Sequence, residues 1–307
     1  MSKENILIIN CGSSSLKFAV INPVDGDEII SGIAERLGEA ESFIRWKYDG
    51  SKESETLNGG AHDAAVGALL HLLEEKGLKD DIAAVGHRVV HGGETFKESC
   101  IITEDVLAGI AACEHLAPLH TPANMTGILA ARKHFPELPM AVVFDTSFHQ
   151  TMPAKAYTYA VPYKYYRENG LRRYGAHGTS YRFVSKRVCE MLDLDINNSK
   201  VLIAHLGNGA SAAGVLNGKC VDTTMGLTPL EGLVMGTRSG NIDPNVFTFL
   251  NKAYGYTIEQ ITDILNKQSG LLGMSELSND CRVIEDAYKE GHPQATLALE
   301  VLSLIHI

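Results

Sequence analysis

Short apolar runs separated by polar, glycine-bearing turns recur along the chain. Ile6-Leu7-Ile8-Ile9 leads into Asn10-Cys11-Gly12-Ser13-Ser14-Ser15, after which Leu16-Lys17-Phe18-Ala19-Val20-Ile21 resumes a strand pattern. Val201-Leu202-Ile203 leads in the same way into Ala204-His205-Leu206-Gly207-Asn208-Gly209-Ala210-Ser211, with a second apolar run from Ala212 to Leu216. Each segment predicts a strand, a turn and a strand, and two units built alike suggest a duplicated nucleotide-binding core. Val142-Val143-Phe144 reads as a further buried strand, and Asn217-Gly218 between apolar pairs predicts a two-residue hairpin. Helical spacing of apolar residues predicts helices over 62–76, 179–192 and 257–268.

The glycine turns are candidate anion sites. Glycine permits close backbone approach and positive φ, and successive N–H groups pointing into one concavity bind phosphate. An ordinary hairpin is the alternative for either turn alone. Neither turn has the G-x-x-x-x-G-K-[ST] or G-x-G-x-x-G pattern, and each is followed by a strand pattern instead of a helix. Phosphates would therefore be held by hairpin backbone, hydroxyls and Lys17.

At 307 residues the chain has room for two domains, and its 45% apolar and 21% charged residues are those of a soluble globular protein. The softest boundary lies near Gln150–Lys155, which predicts domains at 1–150 and 151–307. A net charge of −10 argues against a general nucleic-acid or anionic-membrane surface, so phosphate binding needs locally placed cations and a small substrate. Six scattered cysteines, no C-x-x-C pair, no signal-like start and no membrane-length apolar run point to a cytoplasmic enzyme.

Four polar clusters carry candidate chemistry. Asp145 follows a buried strand, where it either caps the next segment or faces a ligand. His177 sits just before a helix that Thr179 or Ser180 can cap, near the positive end that suits anions. In Gly86-His87-Arg88-Val89-Val90-His91, the β-branched pair favours a strand, so His87 and His91 would stand about 13 Å apart at ~3.3 Å per residue, too far to chelate one ion. Arg88 offers a planar donor fork for carboxylate or phosphate, or a surface ion pair. Arg238 lies in the long glycine-punctuated stretch 222–244 and reads as a second anion-directed guanidinium.

Together the segments Asn10–Phe18, His87–Glu94, Asp145–Pro153, Arg172–Ser180, His205–Ser211 and Asp222–Pro244 resemble the acetokinase family, in order and over nearly the whole chain. The resemblance implies the actin, sugar-kinase and Hsp70-like superfamily: an α/β chain of duplicated ribonuclease-H-like domains with a cleft between them, the second domain incomplete. It implies reversible phosphoryl transfer from ATP to acetate, giving ADP and acetyl phosphate, with Mg²⁺ (or Mn²⁺) and a homodimer in the full-length protein. By motif, Asn10 matches a magnesium-site asparagine and Lys17 a nucleotide-contacting lysine. His205, Leu206, Gly207, Asn208 and Gly209 match the phosphate loop, and Asp280, Cys281 and Arg282 an ATP-contacting segment. Arg88 matches the holder of the substrate carboxylate, while Val90, Leu119 and Pro229 match its apolar pocket. Asp145 matches the catalytic aspartate; His177 and Arg238 match stabilisers of the transferring phosphoryl group. Acetate is already ionised, so the role expected for Asp145 is to position Mg²⁺ or Arg88.

Ala176 and Tyr181 depart from the Phe and His frequent in the family, a difference expected to touch only local packing. Family members also continue past position 307 with an adenosine loop and a magnesium-associated glutamate, so the chain is expected to be incomplete and of little activity by itself. Propionate or butyrate as acceptor, and a non-catalytic actin-like nucleotide-binding module, are the alternatives. The first differs in pocket volume, where Val90 favours the smallest acid. The second requires no Arg88 carboxylate site.

Overall fold

The computed structural model describes residues 4–12, 14–57, 60–118 and 120–304. It divides into two compact units, Met1–Ser147 and Phe148–Ile307, and the boundary expected at 150 falls inside a short 3₁₀ turn, Ser147–Thr151.

The first unit is built on eight strands: β1 (Asn5–Cys11), β2 (Ser15–Ile21), β3 (Glu28–Glu35), β4 (Phe43–Tyr48), β5 (Ser51–Thr56), β6 (Ile82–Val89), β7 (Cys100–Ile101) and β8 (Met140–Phe144). They form one sheet in the order β5-β4-β3-β2-β1-β6-β8-β7. The first five strands are an antiparallel meander, whereas β6 joins β1, and β8 joins β6, in parallel. Alternation along β1 and β2 sends Leu7, Ile9 and Cys11, and Leu16, Phe18 and Val20, to the buried face. That face is covered by α1 (His62–Glu75), α2 (Glu104–Ala112) and α3 (Thr121–His134). Val66, Leu69 and Leu73 of α1 are fully buried, each contributing roughly 1.5–3 kcal/mol by leaving water. Gly127 lets α3 lie close on β1, because a Cβ there would sit 2.1 Å from Cys11 Sγ.

In the second unit, β9 (Lys200–Leu206), β10 (Ala210–Leu216) and β11 (Lys219–Thr223) form an antiparallel sheet in the order β11-β10-β9. The β10–β11 turn is Asn217-Gly218 with φ of 52° and 72°, the left-handed pair that a two-residue hairpin requires. Helices α4 (Ala154–Tyr157), α5 (Lys164–Asn169) and α6 (Gly178–Met191) precede the sheet. After it come α7 (Asn245–Tyr254), α8 (Ile258–Lys267), α9 (Gly270–Ser275), α10 (Cys281–Lys289) and α11 (Pro293–Leu304). Thr257 and Gln260 close a reciprocal capping box that starts α8 where the sequence predicts it. Between β11 and α7 the chain has no helix or strand, and it is anchored by Met225, Leu233 and Met235, which pack with Ala176 and Ala210. Among the described residues, no helix is long and apolar enough to cross a membrane.

His87 lies on β6 and His91 beyond its end, and both are buried. Burial lowers each from 6.5 to about 4, with the nearby His115 adding to the shift at His91. His91 Nδ1 also accepts a hydrogen bond from the Gly93 N–H, which protonation would break. Because the folded-state values are depressed, the unfolded chain binds more protons between pH 6.5 and 4, and stability falls as pH drops through that window. The loss should reach on the order of 3 kcal/mol per ring near pH 4. In urea unfolding at pH 7 and 4.5, His87→Asn should lose distinctly less stability on acidification than wild type; equal losses would remove His87 from the account.

Candidate active site

Strand register assembles the polar groups of the first unit. Asn10 pairs with Lys17 across β1–β2, and Ile9 with His87 across β1–β6, so Lys17, Asn10 and Arg88 occupy neighbouring positions on three adjacent strands. Their face is opposite the one that Leu7, Ile9 and Leu16 bury. Asp145 follows the end of β8 and is 2% exposed. Its carboxylate accepts from Arg88 Nε at 3.1 Å and from Nη2 at 2.5 Å. Arg88 Nη1 stands 3.5 Å from Asn10 Oδ1. Burial opposes the Arg88 charge, but the hydrogen bonds and the charge of Asp145 outweigh it, and its pKa is raised. A guanidinium carries five N–H groups. Asp145 engages the Nε–Nη2 edge, while Nη1 faces Asn10.

Backbone clamps fix this group. Asn124 of α3 accepts from the Val90 N–H at 3.1 Å and donates to the Cys11 carbonyl at 2.8 Å, tying the ends of β1 and β6 together. The Asp145 N–H donates to the Val89 carbonyl at 3.0 Å, and Thr146 Oγ1 accepts from the Gly92 N–H at 3.0 Å. Leu119 and Ser13 lie outside the described residues.

The second unit gathers a different set. The glycine turn joins β9 to β10, with Leu206 opposite Ala210. Neither Gly207 nor Gly209 takes positive φ; their contribution is close approach. A Cβ on Gly209 would lie 3.4 Å from Arg238 Nη1 and 3.7 Å from His177 Nε2. Arg238 has no acidic partner among the described residues. Its Nη1 donates to the Pro229 carbonyl at 3.2 Å, and burial lowers its pKa. A half-buried cation without a counter-charge is poised for an anion.

His177 is the N-cap of α6 in the left-handed conformation, φ 61°. The helix therefore starts one residue before Thr179, and no side-chain hydroxyl caps it. The ring stacks on His205 with centroids 4.0 Å apart, and its Nδ1 is 2.8 Å from Ser211 Oγ. His205 Nδ1 lies 3.1 Å from Ser180 Oγ. Tyr181, expected to matter only for packing, hydrogen-bonds Ser211 through its hydroxyl and so reaches His177. Asp280 caps α10 through the Arg282 N–H and pairs with the Arg282 side chain at 2.6 Å. The hydrogen bonds from Arg282 lower Asp280 to about 2. Asp280 and Arg282 thus satisfy one another locally, Cys281 between them is exposed, and the residue that reaches the glycine turn is Asn279, whose Nδ2 donates to Asn208 Oδ1 at 2.8 Å.

The acetokinase family model matches residues 5–305. The chain belongs to this family. An acetate kinase of Chromobacterium violaceum is 56% identical over 300 residues, covering 98% of this chain and 76% of that protein. One of Shewanella amazonensis is 55% identical over 304 residues, with the same two shares. Among solved structures, a propionate kinase of Francisella tularensis matches with a TM-score of 0.94 at 45% identity, covering 99% of this chain and 77% of that one. An acetate kinase of Porphyromonas gingivalis matches at 0.93 and 45%, covering 97% and 76%. The acetokinase fold accordingly carries both glycine turns, both arginines, Asp145 and His177 in this chain, each within its own unit. Ser211, Asn124 and Asn279 were not picked out from sequence; Ser211, next to the glycine turn, gave the only local signal.

Arg88→Met removes the partner of a buried carboxylate and should cost about 3 kcal/mol in urea unfolding. The double variant Arg88→Met/Asp145→Asn, which removes the stranded charge as well, should regain a substantial part of that loss. A double variant no more stable than the single would mean that the pair carries no electrostatic coupling.

Proposed function

We propose that this acetokinase transfers the γ-phosphoryl group of ATP directly to acetate, yielding ADP and acetyl phosphate, and catalyses the reverse reaction. A carboxylate oxygen forms the new bond to the γ-phosphorus as the bond to the bridging oxygen of ADP breaks, and that electron pair leaves with ADP. No proton moves, since acetate enters ionised. The residues are therefore required for placement and charge neutralisation. Arg88 takes the acetate carboxylate. Asp145 orients Arg88 and keeps its charge in place, a positioning role. In the second unit, Arg238, His177 and the backbone of His205–Gly209 neutralise the phosphoryl oxygens, and these donors gain strength as charge redistributes in the transition state. The observation that carries this reading is the uncompensated Arg238 beside His177 and Gly209.

Lys17 lies on the same strand row and suits a nucleotide phosphate. Val90 and Pro229 are proposed to contact the acetate methyl group, and Asp280–Arg282, through neighbouring Asn279, to border the nucleotide. Mg²⁺ fits the donors present. Asn10 Oδ1 and the Asp145 carboxylate converge on Arg88, and among the described residues no three His, Cys, Asp or Glu side chains form a cage. That set suits an ion bound mostly by phosphate and water, with one or two protein oxygens, and Mn²⁺ fits the same donors. The ion, when bound, neutralises β- and γ-phosphate charge. Acetate is preferred over propionate because the relatives at 55–56% identity are acetate kinases. The propionate kinase match at 45% supports propionate as the second acceptor. Six free thiols suit a reducing cytoplasm, and family resemblance supports a homodimer.

The test is acyl phosphate formation from ATP, Mg²⁺ and acetate. Arg88→Ala should raise the KM for acetate and lower kcat together. His177→Ala should lower kcat roughly a hundredfold or more with little change in the KM for ATP. Wild-type acetate kinetics in Arg88→Ala would refute the carboxylate assignment, and an effect of His177→Ala confined to KM would make His177 a ground-state binding group.

A further inference from the structure

We propose that Tyr181 and Ser211 form a directed hydrogen-bond chain that holds His177 in the tautomer protonated on Nε2. The inference rests on the reading of His177 as a phosphoryl hydrogen-bond donor and adds how that donor is set.

The direction of the chain follows from satisfaction of buried hydrogens. Tyr181 is fully buried, and among the described residues its hydroxyl hydrogen-bonds only Ser211 Oγ. Were Ser211 the donor in that bond, the phenolic hydrogen would have no acceptor, which buried hydroxyls avoid. Tyr181 therefore donates. Burial also pushes the phenol up to about 12, so its proton is present at neutral pH. Ser211, itself fully buried, then has one hydrogen left to give, and its second partner is His177 Nδ1 at 2.8 Å. Nδ1 must accept. A neutral imidazole that accepts at Nδ1 carries its hydrogen on Nε2.

The ring is also held in place. Its residue is fixed in the left-handed N-cap of α6, its plane lies 19° from that of His205 in the stack, and His149 Nε2 donates to the preceding carbonyl, Ala176 O, at 2.8 Å. With the ring so fixed, Nε2 is the nitrogen 3.7 Å from the Cβ position of Gly209, beside Arg238. The chain thus aims an N–H, and not a lone pair, toward the glycine turn. A lone pair there would repel phosphoryl oxygens. Tyr181 and Ser211 are positioning residues that act through His177.

The experiment is ¹⁵N NMR of protein labelled in its histidine rings, with the His177 signals identified by their loss in His177→Asn. Wild type should show a pyridine-type Nδ1 and a protonated Nε2. Tyr181→Phe removes one oxygen and lets the Ser211 hydroxyl turn either way, while Ser211→Ala removes the donor itself. Both variants should shift population toward the Nδ1-protonated form, with kcat lowered roughly tenfold and the KM for ATP changed less than about twofold. A wild-type ring protonated on Nδ1 overturns the proposal without any variant having to fold. So does a tautomer unchanged in both folded variants. The predicted tautomer together with wild-type kcat in His177→Asn supports the chain while sinking the catalytic reading of His177, so the two failures are distinguishable.

Discussion

A guanidinium drawn out of water must find an anion, and the two arginines of this acetokinase meet that demand in opposite ways. Arg88 is matched from within by Asp145, 57 residues away in sequence and almost wholly buried. Arg238 has no such acid among the described residues, and its charge is held only by a carbonyl, a sulfur and the surrounding dipoles. The first arrangement makes a fork fixed through its Nε–Nη2 edge. The second leaves a deficit that a phosphate can fill. Acid–base chemistry is unnecessary on this account, because both reactants arrive as anions and catalysis consists in tolerating their approach.

The fold places these charges through strand register and a few backbone clamps. Lys17, Asn10 and Arg88 share a row because β1 pairs antiparallel with β2 and parallel with β6; a one-residue slip would turn all three toward the helices. Asn124 locks that register from α3 by bonding both Cys11 and Val90. In the second unit the hairpin β9–β10 carries the glycine turn, and Gly236 packs so close to it that a Cβ would lie 2.0 Å from Asn208 Oδ1. The segment bearing Arg238 is thereby pressed against the turn.

Local patterns were readable where local physics decides. The paired strand–turn–strand units, the Asn217-Gly218 hairpin and the helices at 62–75, 178–191 and 258–267 follow from periodicity, left-handed turn residues and capping. Asp145 and Arg88 could each be suspected, yet their pairing is a long-range fact that spacing does not encode. The glycine turn was recognised for partly the wrong reason: Gly207 and Gly209 serve close approach and not positive φ. Asp280, Cys281 and Arg282 carried an ATP-contact expectation from the family resemblance alone; that Asp280 caps α10 and pairs with Arg282 is a local arrangement seen only in the structure. Tyr181, at a position outside the family's anion contacts, was expected to touch only local packing, and only the placement of Ser211 across from it shows what the hydroxyl does.

If Arg238 is a cation held uncompensated for the sake of a ligand, removing its charge should relieve the ligand-free protein. The most direct measurement is the unfolding free energy of ligand-free Arg238→Met against wild type, alongside acyl phosphate formation. The account predicts a variant about 1 kcal/mol or more stabler than wild type, with phosphoryl transfer lost. A variant less stable than wild type, or one that still transfers phosphoryl groups at the wild-type rate, would contradict it.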